Sequence, residues 1–373
     1  MIGPGDIHSA AHLFVPEQLT LARELRGLTR QEVAAKIGKT PSAISQFESG
    51  RARPDGQTIG RLSLALSVPA SFLGRPPSAI AFPLIPLENG HFRSLRSVTQ
   101  RDRRKLLARG SLHCGVLAFL EQKVDLPCER ITLLHTGLGS PGDIEAVALE
   151  TRRRWGLGLG PIGNMVNLLE RNGVVVIPID EGCREVDAFS LWNGKRPCVF
   201  LVAEKGSTSR TRMDAAHELG HLVLHADVSA GSPELERQAN HFGSAFLMPR
   251  ESFVHEAPRR LQWDHIWELK RRWKVSAAAI LRRSYELGTL TEATYRRGFV
   301  QLNISGERRH EPHEPPLEAP VALGKALNVL ADSWSLGRIA EELGLSPLDL
   351  HQLLAFTQAD ASPSTPVSLP DLR

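Results

Sequence analysis

The stretch MDAAHELGHLVLH, residues 213–225, carries three histidines spaced four apart and a glutamate directly after the first. His217, Glu218 and His221 spell H-E-x-x-H. Side chains four apart on a helix share one face, so both imidazoles reach a single ion. Glu218 projects beside that face, placed to accept a proton from a metal-activated water rather than to bind the metal. A buried amphipathic helix that happens to be rich in histidine satisfies the same five-residue pattern. A zinc hydrolase therefore needs a third protein ligand. His225 lies roughly 12 Å from the first histidine along a helix axis, which favours a packed, hydrogen-bonded role for it.

The third ligand is sought just downstream. Ser232 is placed to cap a helix with Pro233 in its first position, running from about Pro233 to Met248. Leu235, Ala239, Phe242 and Phe246 make its apolar stripe, and Glu236 and Asn240 sit one turn apart on the border. Glu236 is expected to point at the metal, with Asn240 supporting it. Glu234 falls on the polar side with Gln238 and His241 and is the weaker candidate.

Far upstream, LTRQEVAAKIGKTPSAISQFESGRARP (28–54) reads as two short helices across a tight turn. Thr29 and Glu32 form a capping box, Gly38 ends the first helix, and Thr40 with Pro41 opens the second. Val33, Ala34, Ile37, Ile44 and Phe47 suit the packed side, leaving Gln31, Ser42, Ser45 and Gln46 outward. With EQLTLARELRG before and TIGRLSLALSV after, a five-helix unit is expected. In such a pair the second helix enters the major groove.

Composition sets the frame. The 373 residues suffice for two or three domains, and 42% hydrophobic with 23% charged residues is ordinary for a globular protein. No apolar run approaches the roughly 18–20 residues that span a bilayer, and the first residues lack a secretory pattern. Four scattered cysteines without a CxxC pair fit a reducing cytoplasm. The net charge is only +4, yet residues 16–75 hold nine Lys/Arg against five Asp/Glu, and 91–130 nine against four. That suits a phosphate backbone.

The expected architecture is multidomain and mainly α. It has an N-terminal tail (1–15), a five-helix helix-turn-helix domain (16–75), and a Pro-rich linker with a basic helical connector (76–143). A central α+β zincin-like domain with a small sheet follows (144–305), then a linker (306–320), a small helical module (321–356) and a disordered tail (357–373). The strands are expected at VVVIPID (174–180) and in a hairpin, VDAFSLW and PCVFLVA, turned by Asn193-Gly194. The second hairpin strand is a candidate for holding an extended peptide by edge pairing. SLGRIAEELGLSPLDLHQLLA (335–355) repeats the helix-Gly-helix rhythm without a basic face and reads as a packing or partner module; no internal repeat is evident.

SRTRMDAAHELGHLVLH followed by ERQANHFGSAFLMP resembles the ImmA/IrrE family of bacterial metallopeptidases, and the likeness extends over roughly 145–290. The resemblance implies zinc ligands at His217, His221 and Glu236, a catalytic base at Glu218, and a role for Arg212 in steadying the site or a substrate carbonyl. Asp214 departs from the small residue usual at its position. His241, Arg212 and Tyr285 are the candidates for an oxyanion donor. Residues 16–73 are similar to the Cro/repressor (XRE) helix-turn-helix family, which implies base or phosphate contacts from Gln31, Thr40, Ser42 and Gln46, and backbone contacts from Arg51 and Arg53. The implied function is a zinc endopeptidase (manganese serving in vitro) that binds double-stranded DNA, forms a homodimer and cleaves a helix-turn-helix repressor in a stress or mobile-element response. The alternative is a transcriptional regulator whose metal site senses or stiffens and cuts nothing.

Overall fold

The computed structural model describes residues 4–74, 82–86, 91–92, 99–133, 140–179, 188–202, 207–225, 232–304, 306 and 311–355. The tail 357–373 and much of the linker between 76 and 98 lie outside them. The chain forms two compact units, the first from Met1–Pro83, Leu112–Asp125 and Val321–Arg373, the second from Leu84–Ser111 and Leu126–Pro320. No helix among the described residues is long and apolar enough to cross a membrane.

The first unit opens with α1 (Pro4–His12), where a tail was expected. Ala10 and Phe14 are buried, and Ile7 lies against Gly56 and Gly60 of a later helix. Too few apolar positions precede Phe14 to reveal that helix in the sequence. The expected five helices follow as α2 (Pro16–Leu25), α3 (Arg30–Ile37), α4 (Pro41–Glu48), α5 (Gly56–Leu66) and α6 (Ala70–Leu73). Thr29 and Glu32 form their capping box, Gly38 takes the left-handed conformation at φ 67°, and Thr40 caps α4. Val33, Ala34, Ile37, Ile44 and Phe47 make the buried seam. Arg23 of α2 fastens the end of α4, its Nε donating to Glu48 Oε1 at 2.5 Å.

α7 spans Gln100–Glu121. The second unit adds α8 (Pro141–Arg154) and α9 (Met165–Arg171) around a sheet of β1 (His91–Phe92), β2 (Val175–Ile179), β3 (Ala188–Asn193) and β4 (Arg196–Val202). Strand order is β1-β3-β4-β2, with β2 parallel to β4 and the other pairs antiparallel. Pro178 is tolerated because β2 lies at the end of that order and spares one row of donors. The hairpin turn falls on Gly194 and Lys195, one residue later than expected, because Asn193 pairs with Arg196 and only Gly194 has positive φ. β4 has neighbours on both sides, so edge pairing of a peptide to it is excluded. α10 (Thr208–Leu224) packs on β3 and β4, and α11 (Pro233–Leu247) packs on α10 and α8. α12 (Arg250–Glu256), α13 (Trp263–Trp273), α14 (Ala277–Glu286) and α15 (Glu292–Ile304) complete the unit. Val176, Val199, Ala215, Leu219, Phe242 and Phe246 belong to its core.

α16 (Ala322–Leu330), α17 (Leu336–Leu343) and α18 (Pro347–Leu354) belong to the first unit. α17 and α18 repeat α3 and α4 at identical spacing: cap Ser335, left-handed Gly344 at φ 66°, cap Ser346 and Pro347 at the first helical position. Ile339, Ala340, Leu343, Leu350 and Leu353 occupy the five buried positions. The two copies share caps and apolar positions but few letters, so the repeat is hard to see in the sequence. Its Asp349 pairs with Arg26 at 3.2 Å.

α8 is tied to the middle of the second unit through Glu145, whose carboxylate accepts from Arg283 at 2.9 Å and Arg250 at 3.1 Å and lies 3.4 Å from His241 Nε2. Burial alone would raise its pKa, but hydrogen bonds from His241, Arg283 and Arg250 hold it well below the usual carboxylate range. The folded state therefore binds fewer protons than the unfolded one. The stability Glu145 contributes is fully present above its ordinary pKa of 4.5 and drains away as the pH falls below that. Glu145→Gln is expected to cost about 2–3 kcal/mol at pH 7 and to flatten the acid limb of denaturant-measured stability. An unchanged acid limb would refute this assignment.

Candidate metal centre

The histidine helix is seated on the sheet and crossed by α11 at close range. A Cβ on Gly220 would meet Ala239 Cα at 3.2 Å, and one on Gly243 would meet His217 N at 3.0 Å. A side chain at either position would have to displace backbone by a few tenths of an ångström, and this close approach sets how near Glu236 lies to the histidines. His217 Nε2 and His221 Nε2 stand 3.1 Å apart. Glu236 Oε2 is 3.4 Å from the first and Oε1 3.3 Å from the second. Ligand atoms of these three residues lie within 4.8 Å of one another, the one such group among the described residues. Burial would raise the Glu236 pKa, but the imidazoles of His217 and His221 beside it hold it far below the ordinary carboxylate value. Two imidazole nitrogens and an ionised carboxylate oxygen are the donor set of a zinc site, and the residues present fit that ion.

A chain of hydrogen bonds sets the chemistry of one donor. Gln238 gives its amide N–H to Glu234 Oε1 at 3.1 Å, which turns its carbonyl towards His225. His225 Nε2 lies 2.8 Å from that oxygen and must donate to it. Burial pushes the His225 pKa down, favouring the neutral ring, so its Nδ1 is an acceptor. His221 Nδ1, 3.1 Å away, then carries the proton. His221 Nε2 is left with its lone pair facing the other two donors. His225 thus stands behind the ligand group, and Glu234 anchors the chain from the exposed end.

Glu218 is fully buried, and Ser190 Oγ on β3 donates to its Oε2 at 2.6 Å. Sequence reasoning missed Ser190. Its only signal was an inward hydroxyl in a strand preceding the motif helix. Asn240 donates to the backbone carbonyl of Glu236 at 2.7 Å rather than to its carboxylate, so it braces the helix and not the donor. Arg212 has a buried guanidinium held by Glu318 and, at 2.8 Å, by the Ile162 carbonyl, contacts that suit steadying the site better than reaching a substrate carbonyl. The other two oxyanion candidates lie on α11 and α14. His241 sits between Glu145 and Glu286, and Tyr285 stacks on Tyr295 at 4.9 Å.

In the helix-turn-helix, Gln31, Ser42, Gln46, Arg51 and Arg53 are exposed. Thr40 is exposed too, while its hydroxyl accepts from Ala43 N at 3.2 Å. Arg53 donates to the His12 carbonyl at 3.1 Å, tying it to α1.

Residues 169–285 match the family described as Peptidase_M78, IrrE N-terminal-like domain, and residues 19–73 match the helix-turn-helix family. The chain therefore carries an IrrE-like peptidase domain and an XRE-type helix-turn-helix, the architecture of the ImmA/IrrE resemblance. Among curated proteins it is similar to endothelial differentiation-related factor 1 of Homo sapiens, 32% identical over 71 residues, 18% of this chain and 48% of that protein. Multiprotein-bridging factor 1 of Debaryomyces hansenii is 39% identical over 54 residues, 14% of this chain and 36% of that one. The chain thus spans about half or less of the length of these relatives.

Gln238→Leu is expected to free His225 to adopt the other tautomer and to weaken zinc affinity about 10–100-fold, read by competition with a chromogenic chelator. The same affinity in both proteins would break the hydrogen-bond argument.

Proposed function

We propose that this protein is a DNA-binding, zinc-dependent endopeptidase. The observation that supports the reading is the His217–His221–Glu236 donor set together with Glu218, a buried carboxylate next to His217 in the chain, which a purely structural metal site does not need. When bound, zinc supplies Lewis acidity that polarises the scissile carbonyl and acidifies water. Glu218 accepts the proton released as water attacks, then delivers it to the departing amine. Ser190 fixes which carboxylate oxygen faces the reaction. Manganese is expected to replace zinc in vitro.

The helix-turn-helix supports a regulator that binds double-stranded DNA through α4. Gln31, Thr40, Ser42 and Gln46 are proposed to touch bases or phosphates, with Arg51 and Arg53 on the backbone. One copy makes few contacts, so a homodimer on two half-sites is proposed. The substrate is inferred to be a helix-turn-helix repressor bound nearby, cut in a cytoplasmic stress or mobile-element response, since DNA attachment raises its local concentration.

Glu218→Gln is expected to keep zinc binding and to lose cleavage of a co-encoded repressor by at least about 1,000-fold. Cleavage that persists in this variant would sink the peptidase reading. Gln46→Ala and Ser42→Ala should each weaken operator binding by about 1–3 kcal/mol per lost base contact, measured by titration at fixed salt. Full affinity and selectivity in both would overturn the assignment of α4.

A further inference from the structure

Residues 311–320 were expected to be a polar linker, yet they are built into the second unit. Three acids in this short stretch accept from the first turns of three helices. Glu311 Oε2 takes Ala277 N of α14 at 2.9 Å. Glu314 Oε2 takes Ser209 N of α10 at 2.9 Å. Glu318 Oε2 takes Met165 N and Val166 N of α9 at 2.7 and 3.3 Å. The same acids neutralise two fully buried cations. Lys270 is held by Glu311 at 2.7 Å and Glu314 at 2.6 Å, and Arg212 by Glu318.

Two of these grips fall on the histidine helix. Ser207 does not cap α10 with its own side chain; its hydroxyl turns instead to Glu314 at 3.2 Å. Glu314 therefore supplies the missing cap to donors that helices leave unsatisfied. Glu318 seizes Arg212, five residues before His217 on the same helix. A helix held at its first turn and again at Arg212 has no freedom to slide or rotate against α11, where Glu236 must meet two nitrogens.

We propose that residues 311–318 form an acidic clasp that fixes the register of α10, and that Glu314 and Glu318 are positioning residues for the metal donors His217 and His221. This rests on the reading of those histidines and Glu236 as zinc ligands. The clasp would also make a segment outside the H-E-x-x-H helix a determinant of metal affinity.

The test compares the full-length wild type with Glu314→Gln/Glu318→Gln, measuring zinc affinity by chelator competition and amide exchange across 207–225 and 19–73. The clasp predicts zinc binding at least about tenfold weaker and faster exchange in the first turns of α10, with exchange in 19–73 unchanged. Should that variant fail to fold, Arg212→Met/Glu318→Met removes both partners of the buried pair without orphaning a charge. It is expected to fold and still bind zinc at least about tenfold more weakly. Zinc affinity within about twofold of wild type in either folded variant overturns the proposal, as does a lowered unfolding midpoint with the affinity of the folded fraction intact. If the wild type binds no zinc, the metal reading fails by itself, and unchanged α10 exchange in the variant would then overturn the clasp separately.

Discussion

The contact on which the candidate site depends is made by absent side chains. Gly220 and Gly243 let α10 and α11 touch backbone to backbone, and that spacing sets how far Glu236 must reach. Protein interiors resist sub-ångström rearrangement because they are packed as densely as crystals. A donor set with atoms 3.1–3.4 Å apart is thus a consequence of helix packing before it is a property of the donors. The packing imposes an electrostatic cost as well. It half-buries the Glu236 carboxylate, whose ionised form the neighbouring imidazoles favour.

Buried charge elsewhere in the unit follows one rule: each cation is answered locally by oxygen. Arg152 is 2% exposed, and burial lowers its pKa to about 10. It donates to the Gly158, Gly160 and Phe246 carbonyls. Arg283 joins Glu145 to the Met248 carbonyl. Removing one partner of such a pair costs far more than the pair contributes. These groups therefore resist any rearrangement that would part them. The site helix inherits its position from the arrangement they hold.

What was legible in the sequence was local. The capping box at Thr29, the turn at Gly38, the H-E-x-x-H spacing and the placement of Glu236 on the border of an apolar stripe are all settled within one or two helical turns. What was hidden was decided by distant partners. In TRRRW, Arg152 is buried while Arg153 and Arg154 pair at the surface with Glu150, and nothing in three identical letters separates them. The partner of Arg212, Glu318, was hidden because it lies in a Pro-rich stretch that composition marks as a spacer. Ser190 reaches Glu218 only after a strand and a helix have packed together.

The two helix-turn-helix copies separate scaffold from function within one chain. Both keep the caps, the left-handed glycine and five apolar positions, because those features let two short helices close a turn. Where α3 and α4 present Arg30, Lys36 and Ser42, the second copy has Leu336, Glu342 and Leu348. A phosphate backbone repels the acid and gains nothing from the leucines. Asp349, in the first turn of α18, is spent on Arg26, whose guanidinium also holds the Leu66 and Ser67 carbonyls. The first turn of α18, the part that would read bases in a DNA-binding copy, thus serves here to fasten α18 to the C-terminal ends of α2 and α5. The fold licenses an interface, and the exposed side chains decide what it meets.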